Sequence, residues 1–220
     1  LTETGAELQG GQYVTGDIKS YTYDSAGNLD TVSVNATLIA DYTYDALNRL
    51  QNATTTEFVK IPDPVNGGTL TVLEVQQQES SFRYNASAQR IGKSITLSGW
   101  QEGIPFTLTT DIAHYNNGSH IVADKITQDG TADRMNQYVF GKQDESGYQQ
   151  FEALYDGATV YIAVIDAHTD VSGLVNATST SFTQYEYDAY GNTLSAGNAG
   201  VYNPYRYTGQ YFDEEKYNAS

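Results

Sequence analysis

Tyr21-Thr22-Tyr23-Asp24-Ser25-Ala26-Gly27-Asn28 decides the fold, because the chain spells this pattern four times. The other copies are Tyr42-Thr43-Tyr44-Asp45-Ala46-Leu47-Asn48-Arg49, Phe82-Arg83-Tyr84-Asn85-Ala86-Ser87-Ala88-Gln89-Arg90 and Tyr185-Glu186-Tyr187-Asp188-Ala189-Tyr190-Gly191-Asn192. A repeat fixes architecture before chemistry, since each copy is one unit that buries its face against its neighbours. Tyr23 and Tyr44 are 21 residues apart, and Tyr44 and Tyr84 are 40 apart, close to two such periods. That period suits a strand, a turn and a return strand.

Residues i and i+2 of a strand point to one face, so the two aromatics of each copy stand side by side. Stacked strand on strand, Tyr21, Tyr23, Tyr42, Tyr44, Tyr84, Tyr185 and Tyr187 are expected to form a ladder of rings. The acids Asp24, Asp45 and Asp188 can each bond backbone two residues on and start a turn. Gly27-Asn28, Asn48 and Gly191-Asn192 then supply residues that tolerate the positive φ of tight hairpins. The third copy has Asn85 for Asp and Ala88 for Gly, so its turn is expected to be of another type or strained.

The pattern resembles the YD repeat of the Rhs family, whose members include bacterial polymorphic toxins and the shell of the animal teneurins. Further stretches extend the resemblance. Tyr138-Val139-Phe140-Gly141 is similar to the family's "YVYG" step, and Asp166 to Val175 resembles its "D-H-x-G-S-V" segment with His168 displaced by one position. The fourth repeat, followed by Asn203-Pro204-Tyr205-Arg206-Tyr207-Thr208-Gly209-Gln210-Tyr211-Phe212-Asp213-Glu214-Glu215, resembles the Rhs-associated core signature. The resemblance covers residues 18–215, weakly around 57–80 and 92–135. It implies an all-β fold in which YD-repeat hairpins build a long curved or spiral antiparallel sheet, the wall of a hollow shell. The expected organisation is one continuous β domain: hairpins over 1–56, a loop or hairpin insertion over 57–80 (strand 69–75), further hairpins over 81–175 and the core signature over 176–220. Many Rhs proteins also carry an aspartyl autoprotease built on repeated Asp-Pro-x-Gly. The one Asp-Pro here, Asp63-Pro64, lacks that glycine spacing, so no autoproteolytic residue carries over.

Composition agrees with an all-β chain. Hydrophobic residues make up 39% and charged residues 17%, so the polarity lies in Thr, Ser, Asn, Gln and Tyr, which suits a wide sheet with one wet face. No apolar pattern of helical period and length appears. The net charge of −16 argues against nucleic acid, whose binding rests on Lys and Arg neutralising phosphates, and against anionic membrane surfaces. The absence of cysteine excludes disulfides and thiolate metal sites. No run of 18 apolar residues exists, so no membrane insertion is expected. The chain opens on Leu1 without a signal peptide, which reads as a processed chain or a fragment.

Asn-x-Ser/Thr occurs six times, at Asn35, Asn52, Asn85, Asn117, Asn176 and Asn218. With 14 Asn, and Ser plus Thr at 40 of 220 residues, chance gives roughly 2.5. Asn35, Asn117 and Asn176 are expected to be exposed and glycosylated. Asn52 fits least, because it alternates in phase with Leu50. Glycosylation would place the protein outside the cell or on its surface.

Catalytic groups are sparse. His114 and His120 flank a turn-like stretch and read as strand-surface residues rather than a metal pair, and His168 reads as structural. Asp213-Glu214-Glu215 reads as part of a turn rather than a cation site. No nucleophile elbow, zinc helix, phosphate loop or dinucleotide fingerprint is present. The expected role is non-enzymatic, without cofactor or metal: a structural segment of a secreted or cell-surface shell or scaffold. One alternative is a glycosylated fibre in which the chain pairs with itself through the edges at Gln9–Thr15 and Tyr205–Tyr211. The other is a carbohydrate-binding adhesion module that stacks sugars on exposed Tyr rings.

Overall fold

The acid or amide that opens each repeat builds the turn that joins two strands. Asp24 Oδ1 accepts from the backbone N–H groups of Ala26 (2.8 Å) and Asn28 (2.9 Å), while Oδ2 takes the Asn28 amide. Asp45 does the same with Leu47 and Arg49, its second oxygen held by the Arg49 guanidinium. Asn85 repeats the pattern with Ser87 and Gln89. In all three loops the first residue's N–H donates to the carbonyl four residues on, and the fourth residue's N–H returns to the first carbonyl. The fourth residue sits at positive φ: Gly27 at 88°, Asn48 at 58° and Ala88 at 62°. The third copy therefore keeps the common turn and carries the strain on Ala88, since a Cβ crowds the following carbonyl in that region.

The computed structural model describes residues 2–211 apart from 10, 11, 63–71, 102, 144, 146, 147, 180, 189, 190, 192 and 196–200; of 2–17, 57–62, 72–75 and 195 it describes the backbone alone. The described chain is all-β, its one helical element a 3-10 turn at Tyr207–Gly209. In order the strands are β1 (Thr2–Gln9), β2 (Gln12–Tyr23), β3 (Leu29–Val34), β4 (Thr37–Tyr44), β5 (Leu50–Pro62), β6 (Val72–Tyr84) and β7 (Arg90–Gln101). Next come β8 (Ile104–Asn117), β9 (His120–Gln128), β10 (Arg134–Phe140), β11 (Phe151–Tyr155), β12 (Val160–Ile165), β13 (Val171–Asn176), β14 (Phe182–Gln184), β15 (Glu186–Tyr187) and β16 (Thr193–Ser195). Fourteen of them form one sheet in unbroken sequence order, β1 to β14, and β15 pairs with β16. Two compact units divide the chain: Leu1–Arg83 with Lys93–Thr109, and Tyr84–Gly92 with Thr110–Ser220.

In the first unit a bulge succeeds each repeat turn. Leu29 pairs with Tyr23 and Thr31 with Thr22, leaving Asp30 over; Leu50 pairs with Tyr44 and Asn52 with Thr43, leaving Gln51 over. A bulge reverses the facing of the strand residues beyond it. Asn52 thus points away from Leu50's face and is exposed, against the expectation that the two share a phase. The aromatic ladder also differs from expectation. Tyr21 lies opposite Val32 and Tyr42 opposite Ala53, so in this unit the rings stand on alternate strands with aliphatic residues between them. Ala40 and Ala53 are buried and Tyr42 is half-buried, while Tyr23 is exposed. Asn35 and Ala36, at φ 50° and 66°, make the two-residue hairpin between β3 and β4. Both positive values are what a type I′ turn needs. β5 and β6 stay paired as far as Pro62 and Val72; the expected strand 69–75 falls partly outside the described residues.

The second unit holds the hydrophobic core. Tyr138, Phe151, Leu154, Val171, Leu174, Tyr185 and Tyr205 pack on one face of β10 to β13, under an arm formed by residues 201–211. Tyr205–Tyr211 was expected to be an exposed sheet edge. Instead Tyr205 is buried, joined to Tyr211 by an isolated bridge across the 3-10 turn, because its ring stacks on Phe151 at 5.0 Å. The Gln9–Thr15 stretch forms the end of the β1–β2 hairpin, Gln9 pairing with Gln12, and β1 is the first strand of the sheet.

Replacing Ala88 by Gly removes the left-handed strain at some cost in unfolded-chain entropy, and should stabilise by about 0.5–1 kcal/mol. Ala86, in the same loop at ordinary φ, should destabilise when replaced by Gly. Denaturant midpoints of the two variants are expected to move in opposite directions.

Candidate functional site

The polar chemistry of the second unit gathers on one cross-strand row. His114 of β8 lies opposite Asp124 of β9, which lies opposite Asn136 of β10. Continuing the pairing back from Asn117–His120 would set His114 against Ala123, but a bulge between Tyr115 and Asn116 shifts the register by one. His114 and Asp124 were thus brought together by an irregularity that alternation does not encode. His114 is buried, not on the strand surface as its sequence context implied.

Asp124 accepts three hydrogen bonds. His114 Nδ1 lies 2.6 Å from Oδ1; the hydroxyls of Tyr138 and Tyr211 donate to Oδ2 at 2.7 and 2.8 Å. The His114 ring packs edge-on against Tyr211, and the Tyr202 hydroxyl lies 3.3 Å from that of Tyr211. The arm adds further ties. Tyr205 donates to the Ile121 carbonyl at 2.6 Å, Arg206 Nε donates to the Asn203 carbonyl, and its guanidinium sits 4.3 Å over the Tyr185 ring. The Thr208 N–H donates to Asp170 Oδ1 at 2.6 Å. Burial, reinforced by the Asp124 carboxylate, holds the Tyr138 and Tyr205 phenols well above their usual range; for Tyr211 burial again leads, followed by Tyr202 and Asp124.

An Asp–His pair can serve as the base of a nucleophilic dyad. Here both side chains have zero exposure and the third group on the carboxylate is a second tyrosine. His114 Nε2 is buried with no hydrogen-bond partner, so no hydroxyl nucleophile is poised on it. The arrangement is a clamp that fastens the arm to the sheet. His120 opens β9 after the Gly118-Ser119 turn and packs on Phe140; His168 is exposed in the β12–β13 loop. Among the described residues no group of three or more His, Asp or Glu is placed to hold a metal, and no helix is long and apolar enough to cross a membrane.

The repeat residues fall on strand ends and turns. Asn28 of the Asp24 loop reaches Asn48 of the Asp45 loop at 3.3 Å, and Gln89 reaches the Gly118 carbonyl of the next turn. Asp188 closes its turn with Gly191, at φ 85°, where the Tyr207 ring lies too close for any Cβ. A fifth copy escaped the sequence reading: Asp166 Oδ1 accepts from His168 and Asp170, with Thr169 at φ 68°. Its signal is the Asp-Ala opening shared with Asp45-Ala46 and Asp188-Ala189; Ala163 and Ile165 stand where the aromatics would be. Of the sequons, Asn35, Asn52 and Asn117 are exposed. Asn85 and Asn176 are half-buried with their side chains engaged in turns, and Asn218 lies outside the described residues, as do Asp63-Pro64 and Asp213–Glu215.

Neither a protein-family model nor a curated protein matches the sequence. Among solved structures, a chain of the TcdB2-TccC3-TEV crystal structure is similar over 92% of this chain, at 14% identity with a TM-score of 0.51. Chains of TcdB2-TccC3-Cdc42 and TcdB2-TccC3 align over 96% at TM-scores of 0.37 and 0.39, with 12% and 11% identity. This chain spans 11% of the first of those chains and 16% of each of the others. The likeness to the first shows the fold: a long antiparallel sheet of the Rhs-like shell type.

Removing the Asp124 carboxylate leaves His114, Tyr138 and Tyr211 buried without their acceptor. Asp124→Ala should therefore destabilise the second unit by about 3–5 kcal/mol, whereas Asp133→Ala, which breaks the exposed pair with Lys125 and an exposed hydrogen bond from the Thr127 hydroxyl, should move the denaturation midpoint far less.

The phenols give a pH dependence of definite sign. Their folded pKa values are raised, so their contribution is complete below the unfolded tyrosine value of about 10 and is lost as pH rises above it. Tyrosinate absorbance is expected to appear in two stages, with the buried tyrosines ionising only as the second unit unfolds. A single smooth titration would contradict the clamp.

Proposed function

We propose that the chain is a non-enzymatic wall segment of a secreted or cell-surface YD-repeat protein, a stretch of sheet that encloses or scaffolds rather than transforms a substrate. One observation carries this reading: the same capped turn recurs at Asp24, Asp45, Asn85 and Asp166 in a sheet whose strands succeed one another in sequence order. Such a sheet grows by adding hairpins, which is how a wall is extended. The fold shared with the TcdB2-TccC3-TEV chain supports it, and so does the spending of polar side chains on turns and on the buried clamp. The exposed sequons at Asn35, Asn52 and Asn117 support an extracellular site of action.

Two measurements on protein from its natural source test the two halves of the proposal. Electron microscopy should show β1 and β14 continued by further strands into a closed wall; discrete particles with both edges bare would overturn it. Intact mass should fall on glycosidase treatment, and an unchanged mass would remove the secretory argument.

A further inference from the structure

The face of the second unit's sheet that points away from its core carries an apolar row. Val139 of β10 lies opposite Ala153 of β11, Ala153 opposite Ile162 of β12, Ile162 opposite Val175 of β13, and Val175 opposite Phe182 of β14. All five side chains lie on one face, since Phe140, Tyr161, Ala163 and Leu174, their neighbours in sequence, turn to the core. Val139, Ile162 and Phe182 are 49%, 51% and 51% exposed. The Phe182 ring packs over Gly173, where a Cβ would stand 2.3 Å from it. A sheet with one wet face alternates apolar and polar residues; β12 reads Val-Tyr-Ile-Ala-Val-Ile, the composition of a strand covered on both faces.

The surrounding charge selects what covers it. From residue 143 to 205 there are eight Asp and Glu and not one Lys or Arg. Glu152, exposed, lies over Gly141 beside Val139; Glu186, also exposed, accepts from Gln184 beyond Phe182. A second copy would bring its own −16 against this surface. A sugar would find one ring in the row.

We infer that this row docks a cationic amphipathic helix of another chain, its apolar stripe along Val139 to Phe182 and its Lys or Arg residues facing Glu152 and Glu186. Five strands spaced about 4.8 Å apart make a row of roughly 19 Å, which a helix of about 13 residues spans at ~1.5 Å per residue. Anchors one to a turn, at i, i+3, i+7 and i+10, then meet successive strands. This assigns the surface an activity that wall-building does not require.

The test titrates the full chain with a labelled helical peptide of Leu and Lys, and with its Leu and Glu counterpart, by fluorescence anisotropy. The Lys peptide is expected to bind and to weaken with salt, and the Glu peptide not to bind. Ile162→Thr with Phe182→Thr keeps strand-compatible residues and should weaken binding roughly tenfold or more. Leu38→Thr, at an exposed apolar site of β4, should not. Absence of binding, unchanged affinity in the double variant or an equal loss in Leu38→Thr would overturn the inference. So would self-association that disappears in the double variant, which would assign the face to a second copy.

Discussion

The capped five-residue turn is the constraint on which the sheet depends. Its first residue must present an oxygen to two backbone N–H groups, and its fourth must accept positive φ. Where the register is defined, at Asp24, Asp45 and Asp166, the residue after the loop pairs with the one before it and the next is left over as a bulge. A bulge raises local twist and resets which side chains face the core. Antiparallel order then puts the Asp24 and Asp45 turns, which join β2 to β3 and β4 to β5, at the same end of the first unit's strands. Contacts are mostly between sequence neighbours, so each hairpin can form before the next one needs it.

The same turn explains what the sequence conveyed and what it hid. Tyr-x-Tyr-Asp with Gly or Asn three residues later named three loops correctly, because the turn's chemistry is local. Asn85 and Ala88 looked like a different turn, yet an amide oxygen caps as a carboxylate does and Ala can be forced into the left-handed region. Asp166 was missed for the opposite reason: its turn is complete but its strand carries Ala163 and Ile165 in place of the aromatics. Phase failed wherever a bulge intervened. Asn52 moved off Leu50's face, and His114 moved onto Asp124. Alternation carries no mark of a bulge, so the buried polar row could not be read from spacing alone.

The two units solve burial differently. In the first, the described buried residues are aliphatic or small as well as aromatic, among them Ala40, Phe82, Leu97 and Leu108, and the row Tyr42–Ala53–Ser80 sets two buried small side chains beside a half-buried ring. In the second, a returning arm brings Tyr205 and Tyr211 over the sheet, and aromatic edges and faces fill the space. An arm with four tyrosines among its eleven residues has to place its hydroxyls as well as its rings. Asp124 and the Ile121 carbonyl receive them, which fixes the arm in one position where an all-apolar arm could slide.

That requirement accounts for the buried carboxylate of Asp124 beneath the arm. Charge taken out of water costs several kcal/mol unless it is hydrogen-bonded on all sides, and three donors at 2.6–2.8 Å supply those bonds. The gain is specificity of position more than net stability. A segment built this way keeps one part of its polar chemistry in exposed turns and the other sealed under the arm. What differs from strand to strand is the composition of the sheet's uncovered faces, where Ile162 and Phe182 of the second unit stand half exposed to solvent.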